Sequence, residues 1–221
     1  MPHSQAAEVV ENLSGTGRHV GTLAVEIVEG LLLASVALMT AWSGYQSALW
    51  DSRSASSYSL SSRLRISAQG AQTRSGQELL YDSTTFNSWL EATQAGNATL
   101  ASFFERRFRP EYKVAFDAWL VTDPLHNSLA PPGPAFMPQY HNADSDLALK
   151  LEHEAENAAT AGDHARTVGD EYVRVTVLLA VVLFLTALSQ RFTIRGVRVG
   201  VLVLGLVVLA ISVLTLASIT G

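Results

Sequence analysis

The histidine and carboxylate side chains that could take part in chemistry gather in one stretch of the sequence. This stretch contains His141, Asp144, Asp146, His153, Glu156, Asp163 and His164. On a helix, His153 and His164 would share a face but lie more than about 15 Å apart. The stretch also lacks the glycine and final glutamate of a calcium-binding loop, and HEAEN is not the HExxH of a zinc protease. We therefore predict no metal ion and no cofactor.

Other signatures of catalysis are missing from the sequence. The chain has no cysteine, which excludes thiolate ligands and cysteine nucleophiles. No serine occupies a nucleophile-elbow pattern, and there is no glycine-rich phosphate loop. The sequence therefore predicts a protein that is not an enzyme. A membrane-anchored, metal-dependent hydrolase using the histidines and aspartates near residue 141 is kept as a third hypothesis.

Three apolar segments determine where all other residues lie. The chain is 48% hydrophobic and 16% charged, and the apolar excess collects in residues 23–50, 173–189 and 199–219. Each segment has roughly the twenty residues that cross a hydrocarbon core of about 30 Å. We therefore predict an all-α integral membrane protein with three transmembrane helices and a helical-bundle domain between the first two.

Arginines in the short connector between the second and third spans predict the orientation. Arg191, Arg195 and Arg198 lie within residues 190–198, and positive residues in short loops favour the cytoplasmic side. The tail, residues 1–22, is then cytoplasmic as well. The central domain, residues 51–172, and the C-terminus lie outside the cytoplasm, and we expect the plasma membrane.

Aromatic residues mark the end of the first span. Trp42, Tyr45 and Trp50 suit the headgroup region, where an apolar ring meets lipid and its polar edge meets water. The segment AWSGYQSALW runs into a helix rich in serine, alanine and arginine. It resembles an uncharacterised family of bacterial membrane proteins with the same aromatic and tyrosine-glutamine pattern. The resemblance implies one span, a helical extramembranous segment and a hairpin of two spans, and it implies no activity.

Five polar residues lie in or beside the first span: Glu29, Ser35, Ser43, Gln46 and Ser47. An amide or hydroxyl at this depth needs a hydrogen-bond partner in another helix or in water. The serines and the glutamine therefore serve helix packing, or they line an ion-conducting pore formed by several copies. For Glu29, we expect stabilisation by a helix N-terminus, with a cation or proton site as the alternative.

The central domain is predicted to be helical. A helix should continue from the first span towards Arg109, with a break most plausibly at residues 81–88, or otherwise at Gly96-Asn97. Another helix should begin at Pro110. Residues 123–142 hold five of the seven prolines and should form a loop.

The returning helix, from about residue 144, should pack closely on the outgoing helix. Its predicted seam is Leu147, Leu151, Glu154, Ala158, Ala161, Ala165, Val168 and Tyr172. The predicted partner stripe is Leu64, Ala68, Ala71 and Ser75. The arginines of the ERRFR segment, Arg106, Arg107 and Arg109, are explained by the dipole at a helix end, or else dock an acidic partner.

The net charge of −5 argues against nucleic acid as a partner. The predicted partners are the lipid bilayer, further copies of the chain and an unknown protein that contacts the extracytoplasmic domain. Our first hypothesis is an oligomeric, non-enzymatic membrane protein that acts through its helical head. The second hypothesis is the homo-oligomeric pore lined by the first span.

Overall fold

The structure is a computed structural model that describes residues 3–192 and 194–220. Five α-helices account for most of this range: α1 (His3–Gln94), α2 (Ala98–Glu105), α3 (Pro110–Val121), α4 (Ala143–Ser189) and α5 (Arg195–Thr220). A short 3-10 helix, Pro134–Phe136, lies in the proline-rich loop. No strand occurs among the described residues, so the predicted all-α class is confirmed.

The chain divides into two compact units. The first unit comprises Met1–Ser56 and Ala161–Gly221, and the second comprises Ser57–Thr160. Helices α1 and α4 each contribute one part to each unit. The predicted central domain, residues 51–172, is therefore longer at both ends than the second unit.

The core of the first unit is aliphatic. Val36 of α1 packs with Val175, Leu179 and Val182 of α4, and all four are buried. Partly buried side chains around them include Leu32, Met39, Leu183, Val208, Leu209, Leu216 and Ile219. Valine and leucine at spacings of three and four place one apolar face of each helix towards this core.

Two helices of the described range are long and apolar enough to cross a membrane, judged by length and composition. They are Ala143–Ser189, with a mean hydropathy of 2.1, and Gly196–Ile219, with 2.9. Only 33% and 11% of their most apolar windows are buried within the protein. The core helix of a soluble protein is mostly buried, so these windows direct most of their apolar surface outward. The first predicted span lies within α1 and stays a prediction.

The second unit has an aromatic core. It is formed by Phe86, Trp89, Phe108, Tyr112, Phe116 and Trp119, with Ala92 and Ala101 between them. The aromatic rings pack mostly edge to face, as between Trp89 and Phe116, whose centroids are 4.8 Å apart. Helix α3 begins at Pro110 as predicted, because proline fits the first helical turn.

The break in the outgoing helix lies at the second of the two predicted positions. Helix α1 continues through residues 81–88 to Gln94, and the chain turns at Gly96, whose φ is +70°. The Asn97 side chain then caps α2 by accepting a hydrogen bond from Leu100 N at 3.0 Å. The preferred break at 81–88 was wrong because Thr84 and Thr85 donate to carbonyls four residues earlier, which a continuous helix accommodates.

The predicted seam of α4 needs a correction of phase. Leu147, Glu154 and Ala161 are exposed, whereas Ala148, Ala155 and Ala158 are buried in the second unit and Ala165 and Tyr172 in the first. At the start of the helix, the buried residue is therefore Ala148 rather than the neighbouring Leu147 chosen from sequence. On α1, Ala68, Ala71 and Ser75 are buried as predicted, and Leu64 is half-buried.

Helices α1 and α4 run antiparallel within the second unit. Arg65 contacts Glu152, and Arg74 contacts Asp144, so residue numbers rise along one helix as they fall along the other. The predicted antiparallel, close-packed pair is therefore present in this unit.

Candidate functional site

Glu29 pairs with an arginine. Its carboxylate is buried and accepts hydrogen bonds from Arg198 Nε at 3.1 Å and from Arg198 Nη2, which is 2.7 Å from each carboxylate oxygen. The predicted helix-dipole explanation was wrong, because α1 begins at His3 and Glu29 lies far inside it. A buried carboxylate in apolar surroundings requires such a partner. A cation bound at Glu29 would have to displace Arg198.

The arginines used for orientation have different surroundings. Arg198 belongs to α5, because that helix begins at Arg195, inside the predicted connector 190–198. Arg191 follows α4 and is exposed. The side chain of Arg195 lies outside the described residues.

The polar residues of the first span are divided between packing and exposed positions. Ser43 is buried and donates a hydrogen bond from Oγ to the carbonyl oxygen of Tyr172 at 2.9 Å, which joins α1 to α4. Ser47 is also buried, whereas Gln46 is half-buried and Ser35 is exposed. Within one copy of the chain, the Ser43 hydroxyl is therefore engaged in helix packing.

Aromatic residues surround this contact between α1 and α4. The Trp42 ring meets the Tyr172 ring edge-on at 5.8 Å, and Tyr45 is exposed. The Arg53 guanidinium lies over the Trp50 ring, with its central carbon, Cζ, 4.5 Å from the ring centroid. An exposed tyrosine and a tryptophan beside a cation suit the predicted headgroup position.

The second unit contains a buried ionic network that sequence reasoning missed. Asp82 of α1 is fully buried, and Arg109 donates to both of its oxygens, at 3.0 Å from Nε and 2.7 Å from Nη2. The Tyr140 hydroxyl donates to the same carboxylate at 3.3 Å. Arg109 also contacts Glu78 at 3.1 Å, and Asn142 donates to Glu78 at 3.0 Å. Residues from three parts of the chain thus meet around one carboxylate.

This network corrects the prediction for Arg109. The residue precedes α3 and binds Asp82 rather than compensating a helix dipole. Its hydrogen bond to Asp82 raises the pKa of Arg109 above its ordinary value, so the guanidinium stays charged. A signal for Asp82 was present in the sequence, because Asp82 continues the three-and-four spacing of Ala68, Ala71 and Ser75 towards the core.

Two tyrosines near the network hold their protons tightly. Burial raises the pKa of Tyr112, and the negative charge of Asp82 raises it further. Burial is also the main cause of the raised pKa of Tyr140. Both hydroxyls are therefore neutral at physiological pH.

The end of α3 and the stretch that follows it display large apolar side chains. Val121 is 86% exposed, Leu129 91% and Phe136 70%, and Leu125 is also exposed. A hydrogen bond nevertheless holds this stretch against α3, because Trp119 donates from Nε1 to the Pro131 carbonyl at 2.7 Å. The Asn127 side chain donates a hydrogen bond from Nδ2 to Thr122 O and accepts one at Oδ1 from Leu129 N, both at 3.0 Å. These bonds order the turns from residue 122 to residue 129. We call residues 121–136 the apolar loop.

The histidines and carboxylates that the sequence gathers in one stretch include one close pair, His141 and Asp146, whose Nδ1 and Oδ2 atoms are 3.7 Å apart. Among the described residues, no group of three or more histidine, aspartate and glutamate side chains is placed to hold a metal ion. His153 Nδ1 lies 3.2 Å from Asn157 Nδ2, and the His164 ring meets the Trp50 ring edge-on.

No known protein family, curated protein or solved structure matches this chain. The function must therefore be inferred from the geometry of the chain itself.

Proposed function

We propose that the chain is a non-enzymatic integral membrane protein that crosses the bilayer three times, forms oligomers and acts through its second unit, the helical head. The observation that carries this proposal is the outward-facing apolar surface of α4 and α5. Val177, Val181 and Phe184 of α4 are exposed, as are Val203, Leu206 and Leu214 of α5. Exposing such an apolar surface to water is energetically unfavourable, whereas the hydrocarbon core of a bilayer solvates it well.

The packing of α1 supports a third span. Val36 shares a core with Val175 and Leu179, and Ser43 binds the backbone of Tyr172. If the apolar part of α4 lies in lipid, the adjoining part of α1 must lie at the same depth. The outer face of this part of α1 is apolar as well, since Ile27, Leu31 and Leu38 are exposed.

The Glu29–Arg198 pair supports the same arrangement. It joins the start of the first span to the start of α5. An antiparallel hairpin of α4 and α5 brings the start of α5 to the side on which α4 ends. The starts of the first and third spans then share one side of the membrane, as three crossings require.

The apolar loop supports an interaction role for the head. Isolated exposed apolar residues are common on soluble surfaces, but Val121, Leu125, Leu129 and Phe136 follow one another within a stretch that hydrogen bonds hold in place. An ordered loop loses little conformational entropy on binding. We therefore assign the contact between copies, or with another protein, to this loop.

The mass of the purified complex tests the proposal. In detergent, we expect the wild-type chain to have the mass of a closed oligomer, and we expect Leu129→Asp combined with Val121→Asp to reduce that mass. The matched control is Leu149→Asp, because Leu149 is an exposed apolar residue on α4. A wild-type monomer at every concentration would contradict self-association. An oligomer unaffected by the loop variant would contradict the assignment to the apolar loop.

A further inference from the structure

A patch of arginine and aromatic side chains lies on the surface of the second unit, between α1 and the end of α2. The Tyr81 hydroxyl of α1 donates a hydrogen bond to the Arg107 carbonyl oxygen at 3.1 Å, which joins the two segments. Tyr81 and Phe103 are exposed, and so is Leu100, which lies on the same face of α2 as Phe103. Arg106 and Arg107 follow α2 directly and are also exposed. We call these residues the arginine–aromatic patch.

The Arg107 guanidinium stacks on an aromatic ring of the patch. Its Cζ atom lies 3.5 Å from the centroid of the Phe103 ring, which is a cation–π contact. Its Nη1 atom also donates a long hydrogen bond, of 3.4 Å, to the Phe103 carbonyl oxygen near the end of α2. A guanidinium has five N–H groups, so most of those of Arg107 remain available to a ligand. Because the side chain is already held in place, binding costs it less conformational entropy.

Arg106 and Arg107 carry charges that no carboxylate of the chain balances locally. Arg65, Arg74 and Arg109 of the same unit each pair with a carboxylate. Among the residues that the structure describes, no ion pair joins Arg106 or Arg107 to an acidic side chain. The dipole of α2 favours positive charge at this end of the helix, but it does not explain the exposed aromatic ring beneath Arg107.

The charge of the surrounding surface limits the size of an anionic partner. The second unit, residues 57–160, contains more aspartate and glutamate than arginine and lysine. An anionic bilayer or a nucleic acid would bring its charge against this whole surface and would be repelled. A short acidic segment of a protein can meet the two arginines without meeting the acidic remainder. Arginine, tyrosine and phenylalanine are also enriched in protein–protein contacts.

A second copy of this chain is a poor source of such a segment. Most carboxylates of its second unit already contact a basic side chain. Glu152 and Glu156 contact Arg65, for example, and Arg74 donates to both oxygens of Asp144. These carboxylates would have to give up their own partners before they could bind the patch.

We propose that the arginine–aromatic patch binds a short acidic segment of a different protein. Carboxylates of the segment accept hydrogen bonds from Arg106 and Arg107, because guanidinium and carboxylate groups match in geometry as well as in charge. An apolar side chain of the segment packs beside Phe103 and Leu100. The proposal names the class of partner for the interaction role of the head and rests on that role, but it uses no residue of the apolar loop.

Fluorescence anisotropy with a synthetic peptide tests this assignment. The probe is a short fluorescein-labelled peptide of glutamates interrupted by leucine and phenylalanine, and the matched probe has glutamine in place of glutamate. We expect the full-length protein in detergent to bind the glutamate peptide at least about tenfold more tightly than the glutamine peptide. Added salt should weaken this binding, because the contacts lie at the surface.

Two pairs of substitutions separate the patch from a general effect of charge. Arg106→Gln combined with Arg107→Gln should weaken binding of the glutamate peptide at least about tenfold. The control is Arg63→Gln combined with Lys150→Gln, which removes two exposed cations of the same unit and should bind like the wild type. If the first variant melts below the wild type, Arg106→Gln alone is measured and should still weaken binding.

Three results would overturn the proposal. The first is a wild-type protein that does not bind the glutamate peptide, or a control variant that loses as much binding as the patch variant. The second is binding of phosphatidylglycerol vesicles that the patch variant loses, which would assign the patch to a lipid surface. The third is a lower oligomer mass for the patch variant, which would make a second copy the partner. A monomeric wild type that binds the peptide would instead contradict only the self-association proposed above.

Discussion

Replacing Gly169 by leucine should force α1 and α4 apart at a close contact in the first unit. A Cβ at position 169 would lie 3.1 Å from Asp51 Oδ1, 3.5 Å from Trp50 Cβ and 3.7 Å from Asp51 N. The Asp51 carboxylate ends an exposed side chain and can move away. The other two atoms belong to the stem and backbone of α1 and move only with the helix.

These distances predict opposite results for two substitutions. Gly169→Ala adds only Cβ, displaces the Asp51 carboxylate and gains about 1 kcal/mol of helix propensity, so its stability should equal or slightly exceed that of the wild type. Gly169→Leu adds three further carbons towards Trp50 and the Asp51 backbone. Because leucine and alanine have similar helix propensities, the difference between the two variants isolates overpacking, which costs about 1–3 kcal/mol.

Thermal unfolding of the purified protein in detergent, followed by circular dichroism, measures this difference. At about 2–4 °C per kcal/mol for a chain of this size, Gly169→Leu should unfold roughly 2–12 °C below Gly169→Ala. The matched control makes the same two substitutions at Gly44, a glycine of α1 in the same unit, where a Cβ would meet no atom within 4 Å. There, the leucine and alanine variants should have similar melting temperatures. Equal melting temperatures for Gly169→Leu and Gly169→Ala would refute the close contact at this position.

Two tyrosines beside the buried network, one loop hydrogen bond and the first span each allow a further test. Because the folded state raises the pKa of Tyr112 and Tyr140, their contribution to stability is complete below the unfolded pKa of about 10 and falls as the pH rises above it. Between about pH 9 and pH 11, the melting temperature of Tyr112→Phe should therefore fall less than that of the wild type. Parallel plots of melting temperature against pH for the two proteins would contradict this. Trp119→Phe removes the hydrogen bond to Pro131, worth about 1 kcal/mol, and should speed proteolysis within the apolar loop. An unchanged cleavage rate would show that the bond does not hold the loop. Liposomes containing the protein should show no ion conductance above protein-free liposomes, whereas a conductance altered by Gln46→Leu would favour the pore.

Local chemistry made several elements predictable from sequence. Pro110 fixed the start of α3, and the prolines after residue 123 indicated a loop between helices. At each of these points a backbone restriction acts within a few residues, so no distant partner is needed to decide the structure.

Features that depend on distant partners were not predictable in the same way. Glu29 and Arg109 were attributed to helix dipoles, but each carries a charge that another segment neutralises, Arg198 in one case and Asp82 in the other. Leu147 was placed in the seam of α4 because of its hydrophobicity, whereas the close approach of α1 selects the adjacent Ala148. A sequence shows which residues need a partner, but the fold determines which partner each one finds.

Chemical labelling of a single cysteine at Leu38 tests membrane insertion of the first span most directly. Leu38 is 73% exposed in the protein and Ile66 of the head is 68% exposed, so the protein itself protects neither position. In intact membranes, we predict that a water-soluble maleimide labels Ile66→Cys when added to the side that the head faces and leaves Leu38→Cys unlabelled from both sides until detergent is added. Labelling of Leu38→Cys at the same rate as Ile66→Cys would contradict three membrane crossings.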